Sequence, residues 1–395
     1  MYRTRPSRRV ALIVALALAA LAAFAAVAQA KPSPKPAKPK GTEVTVMTRN
    51  LYLGADLTPA IDSTSIQGFI EANGEILRTV DASNFPVRAK GLAQEILEQE
   101  PDLVGLQEAA LWRTAEPSLL SVKSGVPVAT TVKYDFLAEL LKQLNKKGKQ
   151  YRAVVVNPEF DFEAPADYNG QPHDGPGGGA PGLLENAEIN ARLTMRDVIL
   201  ARVGAGVHTS NPQMGHYTHL LVEKVAGSAE VTVTRGWVSV NATVRGSRKF
   251  HFVDTHLESF DPSSVVPSIR AQQAAELVGP GGAADPSNPL PVILVGDLNS
   301  DVKTEVQPGD GQAYRVITAA GFRERSTYKP LGCCINSDTL KTGSVKDMNH
   351  KVDHILTDDP KDVKLVSSTV TGREKHDGWW DSDHAGLAST LRISR

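Results

Sequence analysis

Short apolar runs recur along this chain and stop abruptly on polar residues, and that punctuation limits the fold more than any other feature. The clearest run is Pro291-Val-Ile-Leu-Val-Gly-Asp297-Leu-Asn299. Four consecutive aliphatic residues read as a strand buried on both faces, and Gly296 then breaks it. Similar runs occupy residues 44–47, 103–106, 153–156, 197–202, 231–234, 237–244, 250–253 and 354–356. Helical spacing of apolar residues appears over 87–99, 134–144 and 269–277. Many strands with few helices between them predict sheet layers covered by helices.

The polar residues that end these runs carry the chemistry. Asp297 and Asn299 are two positions apart, so in extended chain they project the same way. Such groups are costly to bury without a partner. One only accepts hydrogen bonds, whereas the other can also donate to an anion. Pro101-Asp-Leu-Val-Gly-Leu runs straight into Gln107-Glu108, and a carboxylate there calls for a metal or an arginine as partner. His256 closes the run His251-Phe-Val-Asp-Thr-His256. Asp383 and His384 are adjacent and diverge in extended chain, so one can face a cation and the other substrate. Asp353, at the start of a run, suits a partner that fixes the His384 tautomer and stabilises its imidazolium. Asn50, at the end of Met47-Thr-Arg-Asn50, taken alone reads first as an ordinary turn or cap residue. Asp197, beside Arg196, reads as a surface ion pair ahead of a loop residue near substrate.

This donor set is rich in oxygen and holds no thiolate ligand, which favours Mg²⁺, with Mn²⁺ or Ca²⁺ as alternatives, over zinc. No Gly-x-Ser-x-Gly elbow or cysteine nucleophile competes, so activated water is the natural nucleophile.

Arg3, Arg5, Arg8 and Arg9 precede an apolar run, Val10 to Val27, and then Ala28-Gln29-Ala30. This reads as a signal peptide over 1–30, cleaved after Ala30, ahead of an uncleaved membrane anchor. Export would follow. Residues 31–40 are a Lys/Pro-rich linker, and 41–395 are one catalytic domain. Residues 1–40 hold eight Lys and Arg and no acids, which leaves the remainder near −9 against a whole-chain charge of −1. An acidic domain is a poor general binder of polyanions. The two cysteines are adjacent, Cys333-Cys334, and read equally as a vicinal disulfide or as two small buried thiols. Trp379-Trp380 reads as core first and as a rim contact for a membrane second. No stable protein partner is implied.

Taken in order, Asn50, Gln107-Glu108, Thr255-His256, Gly296-Asp297-x-Asn299, Asp353 and Ser382-Asp383-His384 resemble the endonuclease/exonuclease/phosphatase superfamily. That group includes pancreatic-type deoxyribonuclease, abasic-site endonucleases, neutral sphingomyelinases and inositol-polyphosphate phosphatases. The resemblance spans the chain after residue 40 and implies a four-layer α/β sandwich, two mixed β-sheets face to face flanked by helices. It implies Glu108 as principal metal ligand with Asn50 and Asp383 nearby, and Asp297 orienting or deprotonating water. It also implies Asn299 on a phosphate oxygen, His384 as base or electrostatic stabiliser supported by Asp353, and His256 on phosphate or the leaving oxygen. Asp254 stands where the family commonly has Asn. Residues 113–150 and 157–182 look like insertions, the second a long flexible loop with a Gly177-Gly178-Gly179 run. The expected function is a secreted, metal-dependent phosphodiesterase acting on nucleic acid or a phospholipid head group, with peripheral membrane contact as an option. A phosphomonoesterase and an inactive cell-surface binding module are the alternatives.

Overall fold

Six of the site residues picked out by the sequence, Glu108, His256, Asp297, Asn299, Asp383 and His384, line one cavity. The computed structural model describes residues 41–171, 184–227, 229–260, 267–301, 303 and 311–394. The first sheet runs, edge to edge, Val363–Thr371, Gly386–Ile393, Thr42–Asn50, Leu103–Gln107, Ile189–Arg202, Leu111–Ala115 and Thr131–Asp135, with Tyr151–Ala166 also paired to Ile189–Arg202. The second runs Arg323–Glu324, Asp353–Thr357, Val292–Asp297, Phe250–His256, Gly236–Val244 and Val207–His216. Each sheet contains one parallel pair, Thr42–Asn50 with Leu103–Gln107 and Phe250–His256 with Val292–Asp297. All other neighbours are antiparallel, so both sheets are mixed.

The layers follow from which face of each strand is apolar. Val44, Val46, Leu103, Ile199, Phe250, Phe252, Ile293, Val295 and Ile355 interlock between the sheets in one buried cluster. The opposite face of the first sheet (Met47, Val104, Leu106, Val198) packs on residues of helices Ile66–Ser83, Phe85–Gln99 and Phe136–Leu144. The outer face of the second sheet (Val253, Leu294, Leu356) packs on Ile269–Val278 and Gln312–Ala319. The result is a four-layer α/β sandwich. Truncating a central side chain such as Phe252 to Ala should cost about 3–5 kcal/mol.

The predicted helices over 87–99, 134–144 and 269–277 are present as Phe85–Gln99, Phe136–Leu144 and Ile269–Val278. Ile66–Ser83 was not expected. It is capped by Ser65, whose hydroxyl accepts from Gly68 N at 3.1 Å. Gly68, Asn73 and Gly74 weaken its intrinsic propensity, but Gly74 is required by close approach, because a Cβ there would lie 1.6 Å from Asp167 O. The proposed flexible loop from residue 157 is corrected in part: residues 157–166 continue the strand Tyr151–Ala166. The Gly177–Gly179 run lies outside the described residues. The stretch 113–150 is a strand pair at the edge of the first sheet, followed by a helix.

Candidate active site

Strand periodicity brings the site together. Side chains two apart share a face. The inter-sheet core positions therefore continue into Asn50 from Val44 and Val46, and into Gln107 from Leu103. On the second sheet they lead to His256 from Phe250 and Phe252, to Asp297 from Ile293 and Val295, and back from Ile355 to Asp353. In register, Asn50 pairs with Gln107, His256 with Asp297, and Asp297 with Asp353. Polar groups thus collect where the two sheets end side by side. Gly105 belongs to the same face, where a Cβ would lie 2.4 Å from Asp254 Oδ1.

Asp297 is the hub. Its Oδ2 accepts from Asn50 Nδ2 at 3.0 Å and stands 3.6 Å from Nε2 of both His256 and His384. Its Oδ1 accepts Asn299 N at 2.9 Å. His384 Nδ1 is bound to Asp353 Oδ2 at 2.9 Å. Burial alone would lower the His384 pKa, but the charges of Asp353, Asp297 and Asp383 carry it well above its ordinary value. The imidazole is therefore held as a cation between carboxylates.

His256 is held the other way. Burial, then Arg235 and His384, push it well below its usual range. Arg235 Nη1 lies 3.1 Å from His256 Nδ1. A neutral ring accepting from Arg235 at Nδ1 presents Nε2–H, which suits contact with a phosphate oxygen better than protonation of a leaving group.

Glu108 and Asp383 face the same cavity, both half-buried. Burial first, and the charge of Asp383 next, raise the Glu108 pKa. Glu108 accepts from Asn50 Nδ2 at 3.1 Å and Leu53 N at 2.6 Å. Asn50 turns its nitrogen to Glu108 and Asp297 and accepts Tyr52 N on its oxygen at 2.8 Å. It bridges the acids, and Glu108 and Asp383 are the oxygen ligands this arrangement leaves for a cation. Asp297, Asp353 and His384 also cluster closely enough to share an ion, but there His384 already serves as the counter-charge. Glu108 and Asp383, with Asp297 in the same cavity, make an oxygen-rich donor set that fits a hard divalent cation.

Glu108 and Asn299 have φ of 55° and 47°. Left-handed backbone at such residues costs roughly 1–3 kcal/mol each and recurs at functional sites. Asn299 spends its Nδ2 on Leu257 O at 3.0 Å.

Several contributors escaped the sequence. Arg235 is buried, tied to Glu258 at 3.3 Å and Ser259 at 3.1 Å. Arg49 pairs with Glu95 at 2.8 Å and holds His384 O at 2.5 Å. Arg88 is fully buried and binds Leu51 O at 2.8 Å, Tyr52 O at 3.1 Å and Asp381 O at 2.9 Å, fixing both loops of the rim. The one available signal was a lone cation inside or beside an apolar run, as in Met47-Thr-Arg49.

Asp197 corrects the ion-pair expectation. It is 1% exposed, and Arg196 pairs instead with Asp135 at 2.6 Å. Asp197 lies against Glu159 and the backbone N–H of His256, and burial pushes its carboxyl up to about 7. Asp254 is fully buried, accepts Gln107 Nε2 at 2.5 Å, and is raised well above the carboxylate range by burial and then by Asp197. Trp379 and Trp380 do not line the cavity. Their indoles are pinned to Ala82 O at 3.2 Å and Thr342 O at 2.9 Å. Cys333 and Cys334 are joined as a disulfide, and both sulfurs lie 3.7 Å from His384 Nε2.

The family model for the endonuclease/exonuclease/phosphatase family matches residues 66–384. The chain belongs to that family. Members of the endonuclease/exonuclease/phosphatase family hydrolyse phosphoesters, typically with a divalent metal. No curated protein matches the chain. Solved structures similar to it include a family member from Bacteroides thetaiotaomicron, at 14% identity over 90% of this chain and 100% of that one, with a TM-score of 0.49. A mannosyl-6-phosphatase from Bacteroides thetaiotaomicron VPI-5482 is 14% identical over 88% and 99%, TM-score 0.46. The D. rerio TDP2 protein complexed with single strand DNA product is 16% identical over 89% and 99%, TM-score 0.48.

Proposed function

We propose that the protein is a secreted, divalent-metal-dependent phosphodiesterase that hydrolyses a P–O bond by attack of activated water. The observation that supports this most is Asp297 Oδ2 standing 3.6 Å from Nε2 of both His384 and His256. That spacing is too long for a direct hydrogen bond and leaves a carboxylate flanked by two N–H groups that converge on one cavity. Asp297 takes the proton of the water. His384, charged and locked by Asp353, presents Nε2–H to a phosphoryl oxygen. His256, neutral and backed by Arg235, donates to a second. Fixed donors aimed at developing charge in a partly dry site usually contribute more to such catalysis than any other single effect. Glu108 and Asp383 would hold a divalent cation, which when bound would supply Lewis-acid neutralisation of phosphate charge worth several kcal/mol. Secretion rests on the amino-terminal Arg-rich and apolar pattern alone.

The test is hydrolysis of bis(p-nitrophenyl) phosphate by the purified protein with Mg²⁺ and with EDTA. Turnover with Mg²⁺ that EDTA removes is expected. Release from p-nitrophenyl phosphate with no action on the diester would make the protein a monoesterase, and no turnover of either would favour a binding module.

A further inference from the structure

A cavity of about 420 Å³ is continuous with the catalytic groups and runs well beyond them. Its outer walls are apolar. Phe160 and Phe162, two apart on Tyr151–Ala166, form one wall, and Phe69 meets Phe162 edge to face at 6.1 Å. A two-stranded hairpin outside both large sheets, Leu221–Val225 with Ala229–Val233, also lines the cavity. It turns Val231 and Val233 inward, while Val222 on its other face is 53% exposed. Phe69, Phe160, Phe162, Val231 and Val233 are each half-buried, so solvent reaches apolar surface beside the catalytic carboxylates. Apolar surface kept open next to a polar site gains free energy only when an apolar body covers it.

Charge selects among phosphoesters. Asp56, Glu223 and Asp338 line this cavity, and Arg235 is the one Lys or Arg among its described lining residues, already paired with Glu258. A strand of nucleic acid brings phosphates flanking the scissile one and needs a row of cations to receive them. A molecule with one phosphate and a hydrocarbon body needs none.

We propose that the substrate is a lipid-type phosphodiester, with its single phosphate on the His256–Asp297–His384 groups and its hydrocarbon portion in the Phe162–Val231 chamber. This rests on the phosphodiesterase reading above. Water adds to phosphorus, the ester P–O bond breaks, and the departing alcohol takes one proton. No co-reactant beyond water is required.

The experiment measures kcat/KM with Mg²⁺ for soluble alkyl p-nitrophenyl phosphates, from methyl to octyl, below their aggregation concentrations. Each buried methylene should raise kcat/KM about 3- to 4-fold. Val231→Asp and, as a milder change, Phe69→Ala should flatten that rise while each variant keeps the melting curve of the unaltered protein. A flat series in the unaltered protein overturns the chamber assignment even when the methyl ester is turned over. So does a rise that persists in both variants, or a single-stranded oligonucleotide cleaved faster than the octyl ester. Failure on the methyl ester together with every longer member overturns the phosphodiesterase reading instead.

Discussion

Asp353 Oδ2 and His384 Nδ1 meet at 2.9 Å across 31 positions, and the contact ties the second sheet to the first. Asp353 opens the strand Asp353–Thr357, and His384 lies just before Gly386–Ile393. The pair sets which nitrogen of His384 faces the cavity. Asp353→Asn should lower kcat on bis(p-nitrophenyl) phosphate about 10²–10⁴-fold with the fold intact. Because the two act as a unit, adding His384→Ala should cost little more. Additive losses would show that they act separately.

Removing a cation partner should be visible without catalysis. A ligand bound to the folded state alone at 100 times its Kd stabilises by about 2.7 kcal/mol. Mg²⁺ should therefore raise the melting temperature by a few degrees, and Glu108→Gln should abolish the rise. A full Mg²⁺ shift in Glu108→Gln would move the ion elsewhere.

Asp197 makes a pH prediction. Its ordinary value of 3.8 is pushed up to about 7 by burial in the fold. The folded state therefore holds a proton that the unfolded chain releases, so this contribution is intact below about 3.8 and is lost as pH rises through 7. Melting temperatures at pH 5 and pH 8 should differ less in Asp197→Asn than in the unaltered protein. An unchanged difference would mean that Asp197 is not desolvated.

The Arg49–Glu95 pair is buried beneath His384, with side chains 0% and 5% exposed. Glu95→Ala strands a buried guanidinium and should cost about 3–5 kcal/mol in urea unfolding. Arg49→Met with Glu95→Leu should recover most of that stability. Activity should still fall, since Arg49 holds His384 O.

Much of the site was legible because strand alternation is a local rule. Once Ile293, Val295 and Asp297 are seen to share a face, Asp297 must emerge where the inter-sheet core ends, and Asn50, Gln107 and His256 obey the same arithmetic. Asp197 obeys it too, in line with Ile199 and Ala201, yet a neighbouring arginine suggested a surface pair. Adjacent residues on a strand face opposite ways, so that pairing was improbable from the outset. Arg235 and the hairpin after Leu221 were hidden for a different reason. Their roles come from the tertiary placement of Arg235 against Glu258 and His256 and of the hairpin along the cavity, and no periodicity encodes those. At 379 and 380, Trp380 is buried and Trp379 half-buried, and both indoles donate to backbone carbonyls, of Thr342 and Ala82.

The most direct measurement is steady-state hydrolysis of bis(p-nitrophenyl) phosphate with Mg²⁺ by the unaltered protein and by Asp297→Ala, each with its melting curve. The account predicts EDTA-sensitive turnover that falls at least about 10²-fold in the variant while the fold persists. Equal turnover in the two proteins would contradict a catalytic centre built around Asp297.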